Sequence, residues 1–348
     1  MGKGAVLETA PFLFYTAFAM LSYVARRVLY MIPVLFIISI ISFFVLQLMP
    51  GNFTTAFKLN PRFSKEEIAR LEARYGLDKP AYIRYWKWII GIITRGDFGY
   101  SMETQQPAFD ALFKGRLGWT LLISFGTLIF TWIIAIPIGV FSAVRQYSVA
   151  DYALTFFGFI GVSIPNFFFA LVVLWFLVSV LKVGERGLGI GGLFDLQYVD
   201  APWSWAKFVN FLWHLLPVLI VVGLAGTASL IRYMRGQLLD TLGQQYVLTA
   251  RAKGLRERVV IWKHAVRNAI NPLITMLGMS LPDLFAGAFF AAIIMGLPTV
   301  ERAFWNALQR QDEYVVMSGL LFFAFLLQVG NLLGDIMLAW VDPRIRYD

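Results

Sequence analysis

The sequence has no cysteine, only two histidines and only 15% charged residues over 348 positions. The first absence excludes disulfide scaffolds, thiolate metal sites and cysteine nucleophiles. No Gly-x-x-x-x-Gly-Lys-Ser/Thr loop is present, so this chain is not expected to cradle a nucleotide phosphate, and no His-Glu-x-x-His motif offers a zinc site. With no convergent acid pair either, an enzymatic reading has little to stand on, and no catalytic residue, metal site or cofactor site is assigned. A soluble domain is typically ~45–50% apolar and ~25% charged, whereas this chain is 59% hydrophobic. That apolarity excludes disorder, and 14 Pro with 29 Gly exclude a coiled coil. A net charge of +9 would suggest nucleic acid in a soluble protein. Beside long uncharged runs it raises instead the question of which side of a bilayer the positive residues occupy, and no nucleic-acid partner is expected.

A helix that crosses a bilayer needs ~20 predominantly apolar residues. Six such runs stand out: Val28–Met49, Gly118–Val144, Tyr152–Val180, Trp213–Ile231, Asn271–Gly296 and Tyr314–Val341. The fold class expected is therefore an all-α membrane protein with six transmembrane helices. Six crossings put both termini on one side. The loop after the fourth run carries Arg232, Arg235, Arg251, Lys253, Arg256, Arg258, Lys263 and Arg267 against Asp240 and Glu257. Arg26, Arg27, Arg145, Arg344 and Arg346 fall on the same face if the runs alternate, which makes that face cytoplasmic.

The long mixed-charge segment Gly51–Arg116 is placed outside, because long loops translocate largely regardless of charge. Within it, Ser64 and Glu67 read as a capping box, with Ile68, Leu71 and Leu77 forming an amphipathic helix that stops at Gly76. Tyr82, Tyr85, Trp86, Trp88, Ile89 and Ile90 suggest a second helix lying against the membrane surface. A second outer loop, near Leu181–Phe211, is glycine-rich and carries Trp203 and Trp205. These aromatics read either as an interfacial belt or as a docking face for an external partner. His214, at the outer edge of the fourth run, reads as a hydrogen-bonded interfacial residue, and His264 as a solvated or subunit-contact residue. The apolar stretch Ala10–Ala25 is short for a crossing and reads as interfacial. Met20 would make a plausible start, leaving residues 1–19 as an extension.

The strongest signal is the cytoplasmic segment Gln245–Leu255. Thr249-Ala250-Arg251-Ala252-Lys253 is compact and helix-permissive, its small alanines allow close approach of another surface, and Gly254 breaks or caps the helix. Val259, Val260, Ile261, Trp262, Ala265 and Val266 then alternate with Arg258, Lys263 and Arg267. An amphipathic helix on an anionic membrane face explains the charge, but not small residues ending in glycine at the same place. Tyr246–Pro272 resembles the coupling loop of inner-membrane permease subunits of ABC importers of the dipeptide/oligopeptide family. The resemblance runs from Met20 nearly to the end. It takes in Tyr23–Arg27, Ile32–Phe36, Pro50-Gly51, Tyr75–Pro80, Arg95–Ser101, Asn331–Trp340 and Asp342–Arg346. The chain departs from the general motif at Leu248, where that motif has an acid, as is usual in this branch. It departs again at Ala292, where the family usually has Glu, and at Leu297–Glu301, where it usually has an aromatic-Pro-Gly-Leu-Gly turn.

The resemblance implies the type I ABC importer permease fold with a helical extracytoplasmic insertion between the first two crossings. The expected layout is an N-terminal cytoplasmic or interfacial segment 1–27, a first crossing 28–49 and an insertion 50–117. A permease core 118–341 follows, with its coupling loop at 232–270, and then a cytoplasmic tail 342–348. It also implies residence in a prokaryotic inner membrane and a non-catalytic role. The expected partners are a homologous second permease, two ATPase subunits that bind ATP and Mg, and an extracytoplasmic solute-binding protein. Thr249, Ala250, Arg251, Ala252, Lys253, Gly254 and Leu255 would couple to the ATPases, with the small residues permitting docking and the two cations fixing it. Polar residues within crossings are expensive and normally face a wet cavity or a partner, which makes Asn166, Asp283 and Asn331 translocation-pathway candidates. A polar group on a partner helix accounts for them equally. Asp335 reads as a structural pairing. A peptide is the solute the resemblance favours. An oligosaccharide is the rival within the class, and a self-contained channel or membrane scaffold the rival outside it.

Overall fold

The computed structural model describes residues 5–51, 53–58, 63–186 and 189–341, and among these the side chains of 5–21, 56–57, 186, 275, 278–287 and 338–341 lie outside the description. The described residues are helical, with no β-strand among them. The first helices are α1 (Ala5–Gln47), α2 (Thr55–Lys58), α3 (Lys65–Tyr75), α4 (Ala81–Arg95) and α5 (Ala108–Phe113). Next come α6 (Leu117–Val144), α7 (Val149–Ser163), α8 (Asn166–Trp175), α9 (Leu196–Val199) and α10 (Trp205–Leu242). The remainder are α11 (Gln245–Ala252), α12 (Glu257–Val259), α13 (Arg267–Ala269), α14 (Asn271–Ile294), α15 (Val300–Gln309) and α16 (Glu313–Val341).

Among the described residues, four helices are long and apolar enough to cross a bilayer: Ser22–Gln47 within α1, then α6, α10 and Glu313–Met337 within α16. A fifth candidate differs from the continuous crossing expected at Tyr152–Val180. It consists of α7 and the run Asn166–Val180, bent by 109° at the break between them. The reason lies at Pro165, which has no N–H to donate and pushes Ile164 into an extended conformation (φ −85°, ψ 123°). The run expected near Asn271–Gly296 coincides with α14. Helix α1 passes Arg26-Arg27 without a break, so the stretch expected to be a separate interfacial segment has a backbone continuous with the first crossing.

The helices gather into two compact units, one of Met1–Ala108 with Gln311–Asp348 and one of Phe109–Arg310. In the first, the box at Ser64 and Glu67 caps α3 reciprocally. Gly76 ends α3 in the left-handed region (φ +72°). Helix α4 does not simply lie on a membrane surface. Its Tyr85, Trp88 and Ile89 are buried against Phe43 of α1 and Met317 of α16, while Tyr82, Trp86, Ile90 and Ile93 stay exposed. At the end of α1, Arg84 donates to Glu313 at 2.6 Å and to Gln47, and Gln47 donates to the same carboxylate at 2.9 Å. Towards the other end of α16, Asp335 pairs with Arg27 at 2.9 Å, the structural pairing expected for it.

In the second unit α10 packs against α6, α7, α8 and α14. Gly139 of α6 lets the backbones approach, since a Cβ there would come within 2.7 Å of Met234. His214 is more deeply held than an interfacial residue. It is buried, with Nε2 3.1 Å from Asp195 Oδ1, and the same carboxylate accepts from Asn210 and from the backbone N–H of Gly189. This network, with Lys207 donating to the carbonyls of Ala201 (2.6 Å) and Val199 (3.2 Å), pins the glycine-rich loop to the start of α10.

Candidate functional site: a basic loop helix and a cavity

The basic segment folds as a short helix docked on the end of the unit's own core. Val247 and Ala250, three residues apart on α11, are buried together with Met234, Leu238, Val260, Ile261, Ala265 and Val266. The chain between α12 and α13 runs as a π-helical turn, Val260–Val266, whose apolar side supplies four of those core residues. Tyr246, Leu248, Thr249, Ala252, Lys253, Gly254 and Leu255 all remain exposed.

Gly254 caps α11 through a Schellman arrangement. Its N–H bonds the carbonyl of Arg251 at 2.9 Å, and the N–H of Leu255 reaches that of Ala250 at 3.4 Å. Its φ of +74° is a conformation other residues adopt only at a cost, and the space around the missing side chain is open. Arg251 donates to Glu257 at 2.7 Å, and that guanidinium holds the Glu257 carboxyl below the usual carboxylate range. Of the seven residues singled out in the sequence, six are therefore exposed, and Ala250 packs inward. Arg251 is tied within the loop, whereas Lys253 makes no ion pair with a described residue. Leu248 and Tyr246 complete the exposed face. The first was seen only as a departure from a motif and the second only as the start of the matched stretch.

A cavity of about 340 Å³ opens within the same unit. Its polar lining comes from Thr127 and Thr131 of α6, Asn166 at the head of α8, and Ser229 and Tyr233 of α10. The buried Thr127 hydroxyl has no hydrogen-bond partner. Asn166 reaches this wall because the chain turns at Pro165, which puts the first residue of α8 beside α6 and α10. Asp283 falls in α14, where its side chain lies outside the described residues. Asn331 belongs to the other unit and is exposed on α16.

Two further groups of this unit were not found as sites in the sequence. Asp151, buried in α7, accepts from Ser142 of α6, from the N–H of Tyr147 at 3.0 Å and from both arms of Arg235 of α10. Glu301 is 1% exposed in α15. Its Oε2 accepts from Thr120 at 3.0 Å, its Oε1 has no hydrogen-bond partner among the described residues, and burial pushes its pKa up.

Long apolar helices, a largely apolar cavity with a few hydroxyls and one amide in its wall, and an exposed basic loop helix are the features of a polytopic membrane protein. The family description "Binding-protein-dependent transport system inner membrane component" matches residues 135–347, and the N-terminal description of the same membrane components matches residues 20–124. The chain is 37% identical to the oligopeptide transport system permease protein AppB of Bacillus subtilis, over 94% of this chain and all of that one. It is 32% identical to the dipeptide transport system permease protein DppB of Alkalihalophilus pseudofirmus, over 94% and 100%. The DppB of Escherichia coli K12 is also 32% identical, over 94% and 99%. The chain belongs to the family of binding-protein-dependent transport system inner-membrane permeases, and it is a non-catalytic, multi-pass inner-membrane protein.

Proposed function

We propose that the chain forms one half of the translocation pathway of an ATP-driven peptide importer, with six crossings and both termini in the cytoplasm. The observation that carries this reading is identity of 32–37% along 94% of the chain to permeases named for oligopeptides and dipeptides. A homologous second permease supplies the other half. Two ATPase subunits bind ATP and Mg, and an extracytoplasmic binding protein delivers the peptide. The exposed face of α11 with Thr249, Ala252, Lys253, Gly254 and Leu255 seats in a groove of an ATPase, and Ala250 with Arg251 holds the lever in shape. Closure of the ATPases then rocks the packed helices between two arrangements. Asn166, Asp283 and Asn331 offer polar contacts to the passing solute.

Proteoliposomes holding both permeases and both ATPases, supplied with binding protein and ATP, should accumulate labelled peptide. Uptake by this chain alone, or ATP-dependent uptake of oligosaccharide without peptide, would overturn the proposal. For Asp283, the measurement is uptake by an assembled Asp283→Asn complex, and unchanged uptake removes that residue from the pathway.

A further inference from the structure

Within the first unit, a second cavity of about 360 Å³ lies beside α4, and its charge is one-sided. Arg74, Lys79, Lys87 and Arg95 line it, together with the inner Arg84, against a single acid, Asp97. Asp97 accepts from the N–H of Gly99 at 2.9 Å. Arg84 is already paired with Glu313 but keeps a buried Nε with no hydrogen-bond partner. The other four cations form no ion pair among the described residues, and Arg74 lies only over the ring of Tyr75, at 5.8 Å. Cations left unpaired around one concavity repel one another, so an anion seated among them gains attraction and relieves that repulsion.

The level of the cavity and its edge point to the source of the anion. Tyr314, which lines it, is the second residue of a candidate crossing that begins at Glu313. Arg84 meets Gln47, the last residue of another. The cavity therefore sits where two apolar helices end, the depth of lipid headgroups. Its rim at Ile83 continues into the exposed stripe Tyr82, Trp86, Ile90 and Ile93 on α4. These positions recur at helical spacing and offer an apolar track for acyl chains. We propose that this cavity binds an anionic phospholipid, its phosphodiester among Lys79, Lys87 and Arg95 and its acyl chains along that stripe. The inference stands apart from the transport reading, since it uses no residue of α11 or of the cavity beside Asn166.

The test uses the assembled transporter in nanodiscs of phosphatidylcholine with or without phosphatidylglycerol. Wild type and Lys79→Gln/Lys87→Gln/Arg95→Gln are compared by native mass spectrometry of retained lipid. The three side chains are exposed, so the triple variant should fold, and an unchanged unfolding temperature in phosphatidylcholine checks this. Wild type should retain phosphatidylglycerol over phosphatidylcholine. The variant should hold it about a hundredfold more weakly, at roughly five-fold per charge removed. Equal retention of the two lipids, or full retention by the variant, would overturn the site. Displacement by millimolar inorganic phosphate would assign it to a free anion instead. A loss of binding-protein affinity by the variant in pure phosphatidylcholine would assign it to a protein carboxylate, and either result ends the lipid proposal.

Discussion

Asp151 and Arg235 stand 84 residues apart in the chain and meet in a two-pronged ion pair, Nε to Oδ1 at 3.1 Å and Nη2 to Oδ2 at 3.0 Å. The pair ties the first turn of α7 to α10, the helix that leads to the loop helix α11. The two partners are not equivalent, because the Asp151 side chain is 4% exposed and that of Arg235 is 28% exposed. Arg235→Gln strands a buried carboxylate and should cost on the order of 3 kcal/mol. Asp151→Asn leaves a guanidinium that water can still reach and should cost less. Thermal unfolding of the purified complex reads this order, and equal losses would refute it.

Gly254 sets the end of the loop helix by its backbone alone, since no described residue fills the space where its side chain would be. Gly254→Asn, which tolerates the left-handed region, should keep most ATP-driven uptake. Gly254→Val should add about 1–2 kcal/mol of local strain, and Gly254→Trp should also obstruct an ATPase groove. ATP hydrolysis that continues while uptake falls marks uncoupling. Normal transport by Gly254→Trp would refute the lever assignment.

Glu301 makes the second unit sensitive to pH. Its carboxyl titrates above the ordinary range because burial opposes its charge. A group raised on folding contributes stability that is complete below its unfolded pKa and is lost as pH rises through the folded value. The unfolding temperature should therefore fall as pH rises above the ordinary carboxylate range. Glu301→Gln should flatten that slope and exceed wild type at the alkaline end. An unchanged slope in the variant would place the titration elsewhere.

Asn166 is the pathway candidate that the structure sets in a cavity wall with hydroxyls around it. Asn166→Leu should lower peptide uptake at least several-fold while leaving the assembled complex and its unfolding temperature unchanged. Wild-type uptake by that variant would assign the residue to packing.

Much of this arrangement was legible in the sequence because its causes are local. Ser64 and Glu67 sit at capping-box spacing, Gly76 and Gly254 end helices by their own backbone preference, and the apolar run of α6 is bounded within a residue of where the helix lies. What escaped depends on neighbours. Pro165 was visible, but a proline can either kink or break a helix, and the sequence does not give the bend of 109°. Ala250 was read as a docking residue because small size suits a partner's surface and an interior alike. Only the register of α11 on its core distinguishes them. Arg235 was noted only in a charge count, and nothing local pairs it with Asp151, 84 residues away. The π turn at Val260–Val266 escaped for the same reason: the apolar pattern fits either helix type, and packing selects the wider one.

The first unit is built from the two ends of the chain, with the 202 residues of Phe109–Arg310 between them. At ~5–20 residues per second of synthesis, α1 and α4 wait roughly 10–40 s for α16. Until then Arg84 and Gln47 have no Glu313, and Phe43 and Trp88 have no Met317. A ribosome stalled late in this message would thus leave a half-built unit with an uncompensated guanidinium at the membrane edge, the kind of species that quality-control proteases and insertion chaperones recognise.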